Sequence, residues 1–283
     1  MKIAPYDENA FKMDHPRGTV SFNYLLMGDR SKPFENYRYI LGRNEADFVM
    51  PRHCHTFEQI RLPVIGDMNI GEQGILREGE VGYFPEGQTY GPQDDKLEDP
   101  KQLQLVLQFG GASALGMQAG RGRGPDNKEA QAERRPRREQ RFPKPRYNGV
   151  VISNPDHFNY LPVAGWPGVK RKHIGTYTER AFWIDFVKVD AGAEWVSESA
   201  DAKRLTVVLQ GTGTAEGTQV GWMGAIEADP GEKVRYTATE ELVLYTVGLP
   251  PIVQPVEPDD DKFVTVVTDG GIRFENPKDA DNG

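Results

Sequence analysis

Residues 53–59 read His-Cys-His-Thr-Phe-Glu-Gln, and residues 85–90 read Pro-Glu-Gly-Gln-Thr-Tyr. On an extended segment His53 and His55 point the same way, because strand side chains alternate between faces. Two imidazoles on one face form the core of many metal sites. Phe57 and Gln59 continue that face, while Cys54, Thr56 and Glu58 take the other. Tyr90 returns from a separate strand toward the same pocket. Gln59 could ligate an ion through its amide oxygen. Being neutral, it would leave the ion more positive than a carboxylate would, binding it less tightly but making it a stronger Lewis acid. Glu58 is the alternate ligand if a β-bulge turns it inward, and otherwise a surface carboxylate. Tyr90 could ligate as phenolate only with a pKa well below about 10. As a phenol it could move a proton, bind a substrate oxygen, or simply line the pocket. Arg61, Gln88, Gln93, Gln104 and Gln108 are the candidate substrate-orienting residues at the pocket mouth. Gln104 and Gln108 share one strand face.

The elements that must position these groups read as short strands. Gln59–Ile65, Gly79–Phe84 and Leu103–Phe109 are separated by Gly, Pro and Asp turns, the pattern of an antiparallel sandwich or barrel. Leu103–Phe109 alternates apolar and polar residues, as a half-buried strand does. Residues 147–176, with three prolines, read as an irregular connection. Strands then resume at Phe182–Val189, Leu205–Gln210 and Leu242–Gly248. His15, His157 and His173 fall in connections and read as surface or packing histidines. Between the two strand-rich regions, residues 121–146 carry ten basic and four acidic residues, a net +6 against −14 for the rest of the chain. This Arg-, Gly- and Pro-rich stretch reads as a solvated, disordered or partly helical linker, with a short helix near 128–138. A nucleic-acid arm is the weaker reading, since aromatics are not interleaved with the arginines.

Composition sets the outer bounds. The chain has 283 residues, enough for two ordinary domains, with 37% apolar residues and mean hydropathy −0.61. A net charge of −8 argues against nucleic-acid or anionic-membrane partners. No apolar run reaches the roughly 18 residues of a membrane span, and residues 1–30 lack the apolar core of a signal peptide. Cys54 is the single cysteine, so no internal disulfide can form; it reads as a small buried residue pointing away from the pocket. These features together predict a cytoplasmic protein.

The spacing of these residues resembles that of the bicupins, proteins with two cupin barrels in one chain. The first cupin motif runs G-x5-H-x-H-x3-E-x6-G. Here His53, His55 and Gly66 match; Gln59 replaces the Glu and Asp47 the leading Gly. The second motif runs G-x5-P-x-G-x2-H-x3-N. Gly79, Pro85 and Gly87 match, with Tyr90 for the His and Asp94 for the Asn. The second half matches more faintly. Gly192, Glu198, Ala200, Arg204 and Gly211 fall at the motif positions with every ligand replaced, and Gly224 and Pro230 echo the second motif, with Gly231 one residue early.

The resemblance implies an all-β chain of two jelly-roll barrels: an N-terminal cupin over residues 1–110, the basic linker over 111–146, a degenerate cupin over 147–250, and an arm over 251–283. It implies one divalent ion (iron, manganese, nickel, copper or zinc) in the N-terminal barrel alone, held by His53, His55, Gln59 and Tyr90, with Glu58 as alternate. A metal-free barrel is the other possibility. The C-terminal barrel is expected to be structural, with a non-metal pocket as the lesser alternative. Three functions follow. The first is a metal-dependent dioxygenase or related oxidoreductase acting on a small organic, for instance aromatic or polyketide-like, substrate, with His53, His55 and Tyr90 catalytic. The second is a metal-free isomerase, cyclase or dehydratase using histidine and tyrosine acid–base chemistry. The third is a non-catalytic small-ligand binder. The expected partner is a small molecule, and the expected assembly a monomer or homodimer.

Overall fold

A computed structural model describes residues 1–13, 15, 18–29, 35–112, 141–251, 263–268 and 271–273. The expected short helix near 128–138 and most of the expected linker lie outside these residues. The described chain is built almost wholly of strands and divides into two compact units. One comprises residues 13–21, 27–152 and 253–283; the other comprises 1–12, 22–26 and 153–252.

In the first unit, which carries the His-Cys-His run, four antiparallel strands lie in the order Val81–Phe84, Glu58–Ile65, Leu103–Phe109, Tyr37–Asn44. Register fixes the chemistry of the two faces. Gln59 sits opposite Phe84 and Gln108, and Arg61 opposite Val106. One face is therefore polar around Gln59, Arg61, Gln104 and Gln108. The other carries Tyr39, Leu41, Ile60, Leu62, Tyr83, Leu105 and Leu107, all buried. The polar face is closed by a small apolar cluster of Met68, Ile70, Leu76, Phe84 and Tyr90. Gly87 has φ +77°, and a Cβ there would lie 1.8 Å from the Pro143 carbonyl oxygen. A glycine is required for that close approach of the 143–147 segment.

The second unit has two sheets. Seven strands run in the order Lys2–Ala4, Ala225–Ala228, Lys203–Gln210, Leu242–Leu249, Phe182–Val189, Val169–Tyr177, Leu161–Pro162. Four more, Glu194–Glu198, Lys233–Ala238, Gly213–Ala215 and Thr218–Val220, form the facing sheet. Val169, Val187, Val189, Val208, Ile226, Leu242 and Leu244 of the first sheet pack against Ala215, Val220, Val234, Tyr236 and Ala238 of the second. Such face-to-face packing of inward-facing residues makes a barrel-like sandwich with one core.

Two sequence expectations change here. Residues 1–110 were expected to form one barrel, yet Lys2–Ala4 pairs with Ala225–Glu227 of the other unit's sheet. It supplies an edge that would otherwise leave backbone groups unpaired. The stretch 147–176 was expected to be irregular, yet Val169–Tyr177 is a full strand. Beyond the buried Val169, the same face carries Arg171 and His173, both about half exposed, so the alternation carries no hydrophobic signal.

Candidate functional site

Tyr90 anchors the site in the N-terminal unit. It is completely buried, and its backbone exchanges hydrogen bonds with His53 in an isolated bridge. His53 and His55 thus precede the regular strand, which begins at Glu58, rather than lying within it. Their rings still meet: the centroids are 5.0 Å apart, and His53 lies 4.5 Å from the Tyr90 ring. His55 stacks on Phe57 at 4.4 Å. His55 Nε2 lies 3.0 Å from the Tyr90 hydroxyl, and His53 Nδ1 lies 2.8 Å from the Pro51 carbonyl oxygen.

Arg61 completes the cluster. Its Nη2 donates to the Tyr90 hydroxyl at 3.1 Å. With the Gln59 amide turned so that its oxygen faces the guanidinium, Arg61 Nε and Nη2 donate to it at 2.8 and 3.0 Å, and the Tyr90 hydroxyl at 3.3 Å. That orientation avoids setting the amide nitrogen against the guanidinium donor to donor. The Gln59 nitrogen then lies 3.0 Å from the Gln108 amide nitrogen, so Gln108 accepts from it only when its own amide is turned to present the oxygen. The Arg61 guanidinium also lies 5.0 Å from the Phe84 ring centroid and 5.6 Å from that of Tyr90. Aromatic faces and neutral oxygens therefore stabilise this cation, and among the described residues no carboxylate forms an ion pair with it.

Burial raises the Tyr90 pKa above its ordinary value, and attraction to Arg61 opposes this without reversing it. Without an ion beside it, Tyr90 is therefore a neutral phenol near neutral pH. Cys54 is also held protonated, its thiol pushed up to about 11 by burial.

The expected four-donor metal set does not fit this arrangement. Both oxygens that would complete it, from Gln59 and Tyr90, are turned onto a guanidinium, and His55 Nε2 already meets the Tyr90 hydroxyl. A divalent ion on those oxygens would sit against Arg61 with no carboxylate ligand to offset the repulsion. Among the described residues, no group of three or more His, Cys, Asp or Glu side chains is placed to hold a metal.

Glu58, the alternate ligand, lies elsewhere. It belongs to the opposite face of its strand and is completely buried rather than at the surface. Tyr83 Oη donates to Glu58 Oε2 at 2.8 Å, and Glu86 N donates to it at 2.9 Å. Glu86 in turn pairs with Arg146 at 2.6 Å. Burial and the neighbouring Glu86 charge push the Glu58 pKa up to about 8. The outward face of this strand is buried too, which is why the surface position expected from alternation does not hold.

Of the mouth residues, Arg61 and Gln108 join the cluster, and Gln104 shares the Gln108 face. Gln88 donates to the Thr89 carbonyl at 2.8 Å and the buried Gln93 to the Asn69 carbonyl at 3.3 Å, so both amides serve the backbone. Sequence reading did not single out Phe84, whose ring packs on Tyr90 at 4.6 Å; its placement depends on strand register.

The same architecture recurs in solved structures. A dioxygenase-assigned protein from Nostoc punctiforme matches with TM-score 0.59 and 9% identity, covering 98% of this chain and 82% of its own. The fold is that of the cupins. HEPD from Streptomyces albus, solved with 2-hydroxyethylphosphonate and Fe(II), matches with TM-score 0.60 and 12% identity over 91% of this chain and 79% of that one. The Escherichia coli pirin bound to nickel(II) matches with TM-score 0.55 and 10% identity over 88% and 99%. At these identities the likeness is one of fold. No protein-family model and no curated protein matches the sequence. Among the described residues no helix is long and apolar enough to cross a membrane.

Proposed function

We propose that the chain is a two-barrel cupin whose N-terminal barrel transfers protons on a small organic substrate without a resident metal. The observation that carries this is the Arg61 guanidinium resting on the Gln59 and Tyr90 oxygens. In this reading the protein supplies its own fixed cation where developing negative charge on a substrate oxygen would otherwise need a metal. His55 is half-buried beside the fully buried Tyr90 hydroxyl. It takes a proton from the substrate and returns one at another atom, with Tyr90 as its hydrogen-bond partner. Gln104 and Gln108 orient the substrate's polar groups, and the His55–Phe57 stack offers an aromatic wall. Removal and return of a proton is the net chemistry of an isomerase, cyclase or dehydratase, and needs no oxidant.

The test is hydrogen–deuterium exchange at carbon, followed by NMR, for a panel of enolisable carbonyl compounds in heavy water. Exchange that survives exhaustive chelation and falls about a hundredfold or more in His55→Ala supports the reading. Exchange or oxygen consumption that requires added iron, manganese or nickel contradicts it.

A second reading, a metal-dependent oxidoreductase, rests on the adjacent His53 and His55 rings and on the metals bound by the fold's solved relatives. It requires Arg61 to leave Gln59 and Tyr90.

A further inference from the structure

The C-terminal unit holds a cavity of about 380 Å³ at one end of its barrel. That volume is within the usual range for small-ligand sites. Strand alternation explains why it is polar. Inward positions that are valine or leucine deeper in the core, such as Val187, Val208 and Leu244, become Asp185, Arg204 and Thr246 toward this end. Arg171 and His173 enter from the neighbouring strand, and Trp195 and Ser197 from the facing sheet. Trp183 also lines the cavity, and its indole fits only because residue 248 is glycine: a Cβ there would lie 2.0 Å from the ring.

The charges in this cavity do not cancel locally. Asp185 is bonded to His173 Nδ1 at 2.7 Å and lies 3.8 Å from Arg171. Glu198 pairs with Lys233 at 3.0 Å, and Glu232 with the N-terminal ammonium at 2.7 Å. Arg204 is only 2% exposed, yet it pairs with no carboxylate among the described residues. It donates to Ser197 Oγ at 2.6 Å and to the Glu232 carbonyl oxygen, both neutral acceptors, while its Nε has no partner. Glu232 and Glu198 attract Arg204 without reaching ion-pair distance, and a buried guanidinium with no paired anion beside an open cavity is costly unless one arrives.

We propose that this cavity binds a small organic monoanion, a carboxylate on a flat apolar body. One guanidinium without an ion-pair partner calls for one negative charge, and the carboxylates of Asp185 and Glu198 in the same lining disfavour a phosphate dianion. Arg204 and Arg171 receive the carboxylate, with Thr246 and Ser197 as hydroxyl partners, and Trp183 and Trp195 flank the body. The site is separate from the N-terminal cluster and stands or falls without it.

All four tryptophans, Trp166, Trp183, Trp195 and Trp222, lie in the C-terminal unit, so their fluorescence reports on that unit alone. The experiment titrates the full chain with benzoate and phenylacetate, with benzamide as the uncharged control. Saturable quenching by at least one acid and none by benzamide is expected. Arg204→Met should weaken binding about tenfold or more, as loss of a charged hydrogen-bonding partner does. Arg171→Gln should weaken it several-fold; this side chain is 57% exposed, so its loss leaves folding intact. Arg77→Gln, an exposed control in the other unit, should bind as wild type. The proposal is overturned if neither acid saturates, if benzamide binds as tightly, or if both Arg204→Met and Arg171→Gln bind unchanged.

Discussion

Each of the two barrels places one guanidinium on its inner side with no carboxylate partner, and the two handle it in opposite ways. In the N-terminal barrel Arg61 is closed in. Gln59 and Tyr90 give it oxygen acceptors, and Phe84 and Tyr90 give it ring faces. In the C-terminal barrel Arg204 has two neutral acceptors, an unpartnered Nε and an adjoining cavity. The difference teaches that the same fold can either enclose an internal cation in neutral acceptors and ring faces or leave it beside open space. Which one results depends on whether neighbouring strands bring acceptors or space.

The comparison breaks most visibly at Gly248. Gly248→Ala would drive a methyl group into the Trp183 indole, and overpacking of that kind costs about 2–3 kcal/mol. Thermal unfolding should show the loss, and acid binding at the C-terminal cavity should weaken with it; an unchanged melting temperature would mean that the Trp183 wall is not set by this glycine. Arg61→Met comes next. It strips donors from the Gln59 and Tyr90 oxygens and should lower stability by about 1–3 kcal/mol in denaturant titrations. A neutral result would mean that the closed cation is not integrated into the cluster.

Asp95 sharpens the electrostatic side. It is buried near Arg61, and burial raises its pKa to about 6, against the Asn69 hydrogen bond and the attraction of Arg61. Its folded pKa exceeds the unfolded value near 3.8, so its contribution is full below about pH 4 and is lost as pH rises through about 6. Asp95→Asn should therefore remove up to about 2 kcal/mol of stability decline between pH 4 and 7. Parallel pH–stability curves for variant and wild type would contradict this. The smallest effect is expected for Arg204→Met. Its lost hydrogen bonds and the relieved burial of an uncompensated charge oppose each other, so stability should change by under about 1 kcal/mol. A loss as large as that for Arg61→Met would erase the distinction between the two barrels.

Much of this was legible in the residues. The all-β class follows from short strands and turn punctuation. The barrel turns follow from glycines: Gly66 and Gly211, at equivalent motif positions, have φ +73° and +80°. At Gly211 a Cβ would meet the Glu241 carbonyl oxygen at 2.0 Å, so the turn persists although the ligands around it have changed. The meeting of His53, His55, Gln59 and Tyr90 could also be read from spacing. What Gln59 and Tyr90 do there could not, because it depends on Arg61 turning inward two residues further along. Glu58 was misplaced because alternation reports which face a residue takes and not whether that face is wet. The C-terminal cavity was hidden for a related reason. Its strand Val169–Tyr177 sets Arg171 and His173 along the open cavity, where a hydrophobic pattern would have announced a strand.

The most direct test of the central claim, that Arg61 holds the place of a metal, is metal analysis by mass spectrometry. Untagged wild-type protein would be incubated with iron, manganese, nickel, copper and zinc, desalted, and measured beside the His53→Ala/His55→Ala double variant. The account predicts far less than one ion per chain in both. Near-stoichiometric metal in the wild type that disappears in the double variant would contradict it.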